Sequence, residues 1–282
     1  MSSLREISII GLSCLLSFSS AAVAQTVPAQ NGQVPQRPDR PAITIYDKLK
    51  SDAGGPAPKN DLTGAWAGPI GSASQNVPPM TALGQRMFSL NKPESKYSLA
   101  GTNDPFGLCD PLGMPRKLLD QTRGMIFAVM PGRTLQAWQY GSVWRQIWTD
   151  GRALPKDVGG TSKDSLDPRW WGYSVGHWEG DYIFVVETTG SDERSWLDKA
   201  GHPHSVNMHV EERYIRANHD NLEMDITIDD PKIYTKSFVI AKTTFKWIPN
   251  QEFEEQFCVP SEEATYSQLI GKRAGNGSTG NK

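Results

Sequence analysis

All five histidines of this chain fall between positions 177 and 219, and three of them, His202, His204 and His209, lie close together. In an extended segment side chains alternate, so His202 and His204 face one way, and Glu211 shares a side with His209. Such spacing suits a divalent metal, Zn, Fe or Mn, held by His202, His204 and His209, with Glu211 or His177 as a fourth ligand. Pro203 opposes regular strand pairing there, and the competing reading is a polar loop whose histidines bond backbone carbonyls. The same residues also work without metal. Asp198 beside His202 or His204 makes a carboxylate–imidazole dyad, in which the acid fixes the tautomer and the other ring nitrogen moves a proton. His177 and Glu179 supply a second imidazole and acid beside Trp178, although 179–181 also reads as a plain hairpin turn. This chemistry covers proton abstraction next to a carbonyl, dehydration and activation of water.

A second group of residues offers binding surface. Gln136, Trp138 and Tyr140 share one side of a strand, and Trp144, Gln146 and Trp148 share one side of the next. Tyr173, Trp178 and Trp196 add further rings. Aromatic walls with interleaved amides suit a flat apolar or aromatic molecule, or a sugar stacked on Trp; an ordinary aromatic core is the alternative. Arg145, Arg152, Arg169 and Arg213 are candidates to fork onto a ligand carboxylate. Asp150, Asp167, Asp181 and Glu211 compete for them as structural partners.

The elements that must position these groups are strands. Period-two runs separated by turn residues recur from Leu62 to Cys258, among them 125–130, 135–140, 143–148, 171–178, 182–189, 210–216, 222–228 and 238–247. Helical patterning is confined to short stretches near 83–90, 115–123 and 261–271. Strand and helix do not alternate as a parallel sheet requires. The pattern predicts an all-β fold, an antiparallel meander of about ten strands closed into a lipocalin-like barrel, because closure removes unpaired edges.

The chain has 282 residues, 29 Lys+Arg against 31 Asp+Glu and a net charge of −2, which leaves no basic excess for nucleic acid. Residues 1–24 read as a signal peptide, with an apolar run from Ile7 to Phe18 and Ala22-Val23-Ala24 before Gln25. The run is too short to span a bilayer, and no transmembrane segment is expected. Residues 25–60 read as a Pro-rich flexible arm, 61–271 as a single barrel domain and 272–282 as a disordered tail. Export, periplasmic or beyond, places the two remaining cysteines, Cys109 and Cys258, in an oxidising compartment and predicts a disulfide between them.

Two resemblances add to this. Gly64-Ala65-Trp66 is similar to the Gly-x-Trp opening of lipocalin-like barrels, in which the Trp plugs the closed end. The phrases Trp144 to Arg152, Gly172-Tyr173-Ser174-Val175-Gly176-His177-Trp178-Glu179-Gly180-Asp181, Trp196-Leu197-Asp198, Gly201-His202-Pro203-His204-Ser205 and Thr227-Ile228-Asp229-Asp230-Pro231 resemble a largely uncharacterised family of exported bacterial β-proteins. That resemblance implies export and a common fold, and carries no reaction with it. The chain departs from it at Ser191-Asp192, where Phe-Asn is usual, and at Val206, where an acid is common.

The residues therefore predict an exported enzyme acting on a small apolar or aromatic compound by His and Asp or Glu acid–base chemistry, as an isomerase, dehydratase, lyase or hydrolase. A divalent metal is the one cofactor to consider. The alternative is a lipocalin-like carrier that binds such a molecule unaltered. The oligomeric state is not legible.

Overall fold

Among the described residues, alternation of apolar and polar side chains forms nine strands. They are β1 (Gly64–Ile70), β2 (Met125–Met130), β3 (Arg133–Trp138), β4 (Val143–Trp148), β5 (Tyr173–Glu179), β6 (Ile183–Thr189), β7 (His209–Arg216), β8 (Asn221–Asp229) and β9 (Phe238–Trp247). The structure is a computed structural model and describes residues 55–70, 77–94, 96, 101–120, 122–249 and 251–270. The expected leader at 1–24, the arm as far as residue 54 and the tail at 272–282 lie outside the described residues.

The strands pair in chain order, and β9 closes back onto β1 through Trp66↔Trp247, Ala67↔Lys246 and Ile70↔Thr244. The expected antiparallel meander needs one correction. An odd number of strands closed in sequence cannot alternate direction all the way round, so one neighbouring pair must run parallel. That pair is β4 and β5, matched only at Ile147↔Ser174 and Trp148↔Val175. Parallel neighbours cannot be joined by a tight turn, which is why residues 149–172 form a long connection across the barrel wall. The strand expected to run into Cys258 is only a single bridge, Tyr140↔Gln256.

The alternation seen in β8 puts Leu222, Met224, Ile226 and Ile228 fully inside, with Glu223 and Asp229 exposed. Opposite them the interior is filled by Trp66, Phe127, Ile147, Val186 and Tyr214, each with no exposed surface. Gly180 turns the β5–β6 hairpin with φ 63°, a conformation side chains resist.

One end of the barrel is closed over Trp66, whose indole donates to the Leu62 carbonyl at 3.0 Å. The Arg216 guanidinium lies over its ring at 4.5 Å and donates to the Asp61 and His219 carbonyls at 3.0 and 2.8 Å. Burial lowers the Arg216 pKa, against the pull of Asp61 and Asp220.

Among the described residues, three short α-helices accompany the strands: α1 (Ala82–Leu90), α2 (Arg116–Leu119) and α3 (Pro260–Ile270). α1 is capped by Thr81, whose hydroxyl accepts the Gly84 N–H. The predicted disulfide is formed: Cys109 and Cys258 are bonded with their Cα atoms 5.4 Å apart, closing a loop of 149 residues. A loop of that length contributes on the order of 4 to 5 kcal/mol by restricting the unfolded chain.

Candidate functional site

The wall formed by β3, β4 and β5 carries polar chemistry on both sides, and β7 adds side chains to the inner one. Inward, Arg145, Gln136, Tyr214 and Glu212 form a closed ring of hydrogen bonds. Arg145 Nε donates to Gln136 Oε1 at 2.9 Å, and Gln136 Nε2 donates to the Tyr214 hydroxyl at 3.0 Å. Tyr214 in turn donates to Glu212 Oε2 at 2.7 Å, and Glu212 Oε1 receives Arg145 Nη1 at 2.9 Å. A second Arg145–Glu212 bond, from Nη2 to Oε2, makes the pair bidentate. Glu212, Tyr214 and Gln136 have no exposed surface. Burial works against the Arg145 charge, but Glu212 and Tyr214 outweigh it and raise its pKa. Tyr214 is pushed well above its usual range, first by burial and then by Glu212, so the phenol keeps its proton and stays a donor. Each member of the ring has a partner, the condition under which a buried ion pair is tolerable.

Outward, the short parallel pairing of β4 with β5 lets the first half of β4 part from its neighbour. A cleft of about 610 Å³ fills this gap. Its walls are Trp144, Trp148, Trp171 and Tyr173, with Gln146 between them and Leu166 and Pro155 from the long connection. Gly172 makes the bend between the two ring-bearing residues: it has φ +61°, and a Cβ there would meet the Thr189 carbonyl at 2.7 Å. Trp144 is 54% exposed, a large apolar surface left open to solvent.

Three arginines and no acidic residue line the cleft. Arg145 is neutralised from behind by Glu212. Arg152 lies 3.5 Å from the centre of the Trp148 ring and is held by Asp150, with Nη2 to Oδ2 at 2.6 Å. That hydrogen bond keeps the Asp150 carboxyl below its usual range. Arg169 stacks on Tyr173 at 4.2 Å, and among the described residues it has no carboxylate in salt-bridge contact. The cleft thus combines flat apolar walls with Arg169, a cation that meets no carboxylate among the described residues.

The histidines do not meet. His177, half exposed on the outer wall, is 3.9 Å from Glu179. Glu179 is itself bound by Arg213, which lowers its pKa. Arg213 therefore serves a strand-to-strand pair, away from the cleft lining. His209 faces Glu187 at 3.3 Å, and His219 faces Asp220 at 2.7 Å. His204 has no exposed surface; its Nδ1 donates to the Ser205 carbonyl at 3.1 Å, and Ser195 Oγ lies 2.9 Å from Nε2. Burial lowers the His204 pKa, so the ring is neutral. The metal set of His202, His204, His209 and Glu211 is corrected by this geometry. Among the described residues no three His, Cys, Asp or Glu side chains converge on a metal position. Pro203 and the irregular loop around it send the imidazoles to separate partners instead.

The Asp198–His202 contact does exist, with Asp198 Oδ2 2.6 Å from His202 Nδ1. Its imidazole stacks on Phe88 of α1 at 5.1 Å and stays outside the cleft. Among the aromatic candidates, Trp144, Gln146, Trp148 and Tyr173 share the cleft. Gln136 belongs to the inner ring of hydrogen bonds. Trp138 is buried and stacked on Trp171 at 5.7 Å, while Tyr140 faces Lys117. Trp178 packs on Phe184, and Trp196 is buried near the Arg116 guanidinium.

Sequence reasoning missed two residues that matter here. Glu212 is the one acid on the buried face Val210, Glu212, Tyr214, a signal that the alternation of the strand carries. Trp171 stands two positions before Tyr173, the spacing that puts both on one side. Comparison with family models, curated proteins and solved structures gives no match to this chain, so the site is read from its own geometry.

Proposed function

We propose that the protein binds, without altering it, a small flat aromatic molecule that carries one acidic group, and that the cleft at the β4–β5 seam is its site. The observation that carries this reading is the lining itself: four aromatic side chains, the exposed Arg152 and Arg169, and no acid. Trp144 and Trp171 supply ring surface for stacking, worth about 0.5 to 1.5 kcal/mol per ring pair beyond area burial, beside Trp148, whose ring already carries Arg152. Arg169, stacked on Tyr173, presents a planar fork to a carboxylate. Gln146 adds a directional polar contact. The packed barrel interior supports a carrier that uses its outer wall. If the leader expected at 1–24 is used, this binding takes place outside the cytoplasm.

Titration with 1-naphthoate, read by tryptophan fluorescence and calorimetry, tests the proposal. Saturable quenching, weaker binding of the neutral 1-naphthamide and recovery of unmodified ligand support it. Equal binding of acid and amide, or binding unaffected by Trp148→Ala, overturns it.

A second reading keeps the Asp198–His202 dyad as a general base, on the strength of its 2.6 Å contact. That reading requires a substrate to reach His202 beside Phe88, and recovery of a product that disappears with His202→Ala would establish it.

A further inference from the structure

Trp171 also lines a second, smaller cavity of about 120 Å³, bounded by the Cys109–Cys258 disulfide, Phe106, Leu112, Tyr140 and Phe257. Into this largely apolar chamber α2 brings Lys117, which is 2% exposed. Its ammonium is positioned by a hydrogen bond from Nζ to the Tyr140 carbonyl at 2.8 Å and lies 5.1 Å from the Tyr140 ring centre. Asp110 is the one carboxylate in the lining, and Asp120 acts on the amine from outside it. A buried amine fixed beside an apolar chamber is the arrangement that activates lysine toward carbonyl carbon.

We propose that Lys117 is a carbonyl-trapping amine that condenses reversibly with a small aliphatic aldehyde admitted to this cavity. The Nζ lone pair forms a bond to the carbonyl carbon while the C=O π pair moves to oxygen, which takes up a proton lost by nitrogen. The resulting carbinolamine expels its hydroxyl as water, which takes the second proton from nitrogen, and leaves a C=N bond to Lys117. Hydrolysis returns aldehyde and amine, so no oxidant or reductant is needed. At roughly 30 Å³ per water-sized group, the chamber holds about four such groups, which limits the partner to aldehydes of a few carbons.

The electrostatics agree with the geometry. Burial, opposed by Asp120, pulls the Lys117 pKa down to about 8. At pH 7 roughly one such amine in ten is neutral, against about one in three thousand for an ordinary lysine near 10.5. This site stands independently of ligand binding in the larger cleft.

The test is reductive trapping on the full-length wild-type protein: acetaldehyde with cyanoborohydride at pH 7, followed by peptide mass mapping over time. Ethylation of Lys117 at least about tenfold faster than at the exposed Lys59, Lys156 and Lys163 supports the proposal. Labelling of Lys117 no faster than those lysines overturns it. A bulky aldehyde, 1-naphthaldehyde, should label the exposed lysines and spare Lys117. Preferential labelling of Lys117 by this reagent would overturn the assigned size limit. Lys117→Arg keeps the positive charge and, with circular dichroism unchanged, should lose only the fast-labelling peptide.

Discussion

The two sides of the wall at the β4–β5 seam treat arginine in opposite ways. On the inner face Arg145 is locked into a ring in which Glu212, Tyr214 and Gln136 satisfy the guanidinium and one another. On the outer face the seam leaves Arg169 stacked on Tyr173 with no carboxylate among the described residues. The same chemical group therefore specifies the fold where its charge is cancelled and offers a binding site where it is not. Saturation separates the two uses, since a satisfied buried charge has nothing left for a ligand, whereas a solvated cation on an aromatic wall loses little on exchanging water for an anion.

The largest test of that contrast removes one member of the inner ring. Glu212→Ala leaves Arg145 buried and uncompensated, and should reduce unfolding free energy by roughly 3 to 5 kcal/mol. Denaturant unfolding measures it. The pair Arg145→Met with Glu212→Leu should recover part of the loss, because an apolar replacement carries no stranded charge; no recovery would mean that the ring contributes more than its ion pair.

On the outer face the effects should move from stability to binding. Trp148→Ala should weaken 1-naphthoate at least tenfold while changing stability by less than about 1.5 kcal/mol, since the half-buried ring leaves the interior intact. Arg169→Ala should weaken the acid several-fold, leave the amide unchanged and not measurably alter unfolding. An Arg169→Ala variant that unfolds easily would break the contrast between the faces.

His204 supplies a pH test of the interior. Its folded pKa is lowered, so above the unfolded value near 6.5 both states hold a neutral ring and stability does not depend on it. As pH falls below about 6.5, the unfolded chain binds a proton that the buried ring refuses, and stability drops by up to about 1.4 kcal/mol per pH unit until the folded ring titrates. His204→Gln should flatten that slope in denaturation curves measured from pH 7 down to 5. The smallest effect belongs to His177→Ala: the ring is half exposed, so removing it should change both stability and binding by no more than about 0.5 kcal/mol.

How much of this was legible depends on whether a local rule governs it. The alternation of Leu222, Met224, Ile226 and Ile228 reports one buried face without reference to the rest of the molecule, and the strand pattern built from such runs correctly announced a barrel. The Cys109–Cys258 pairing was legible because only two cysteines follow the leader-like segment. The parallel seam was not, since the direction in which β5 returns depends on how 149–172 packs over the wall. The histidine cluster misled for the same reason: closeness along the chain says which residues are neighbours in sequence, while Pro203 and the loop around it aim His202 and His204 at different partners.

By itself, then, the sequence determined strand content, inside and outside faces and the aromatic side of β4, because period-two alternation is a property of the backbone alone. Only the tertiary structure decided which charges meet. It joined Arg145 to Glu212 across 67 positions of chain, kept the imidazoles apart and opened a cleft where nine strands close. Coulombic and hydrogen-bond partners are chosen by distance in space, and no spacing along the backbone encodes that distance once the sheet has curled into a barrel.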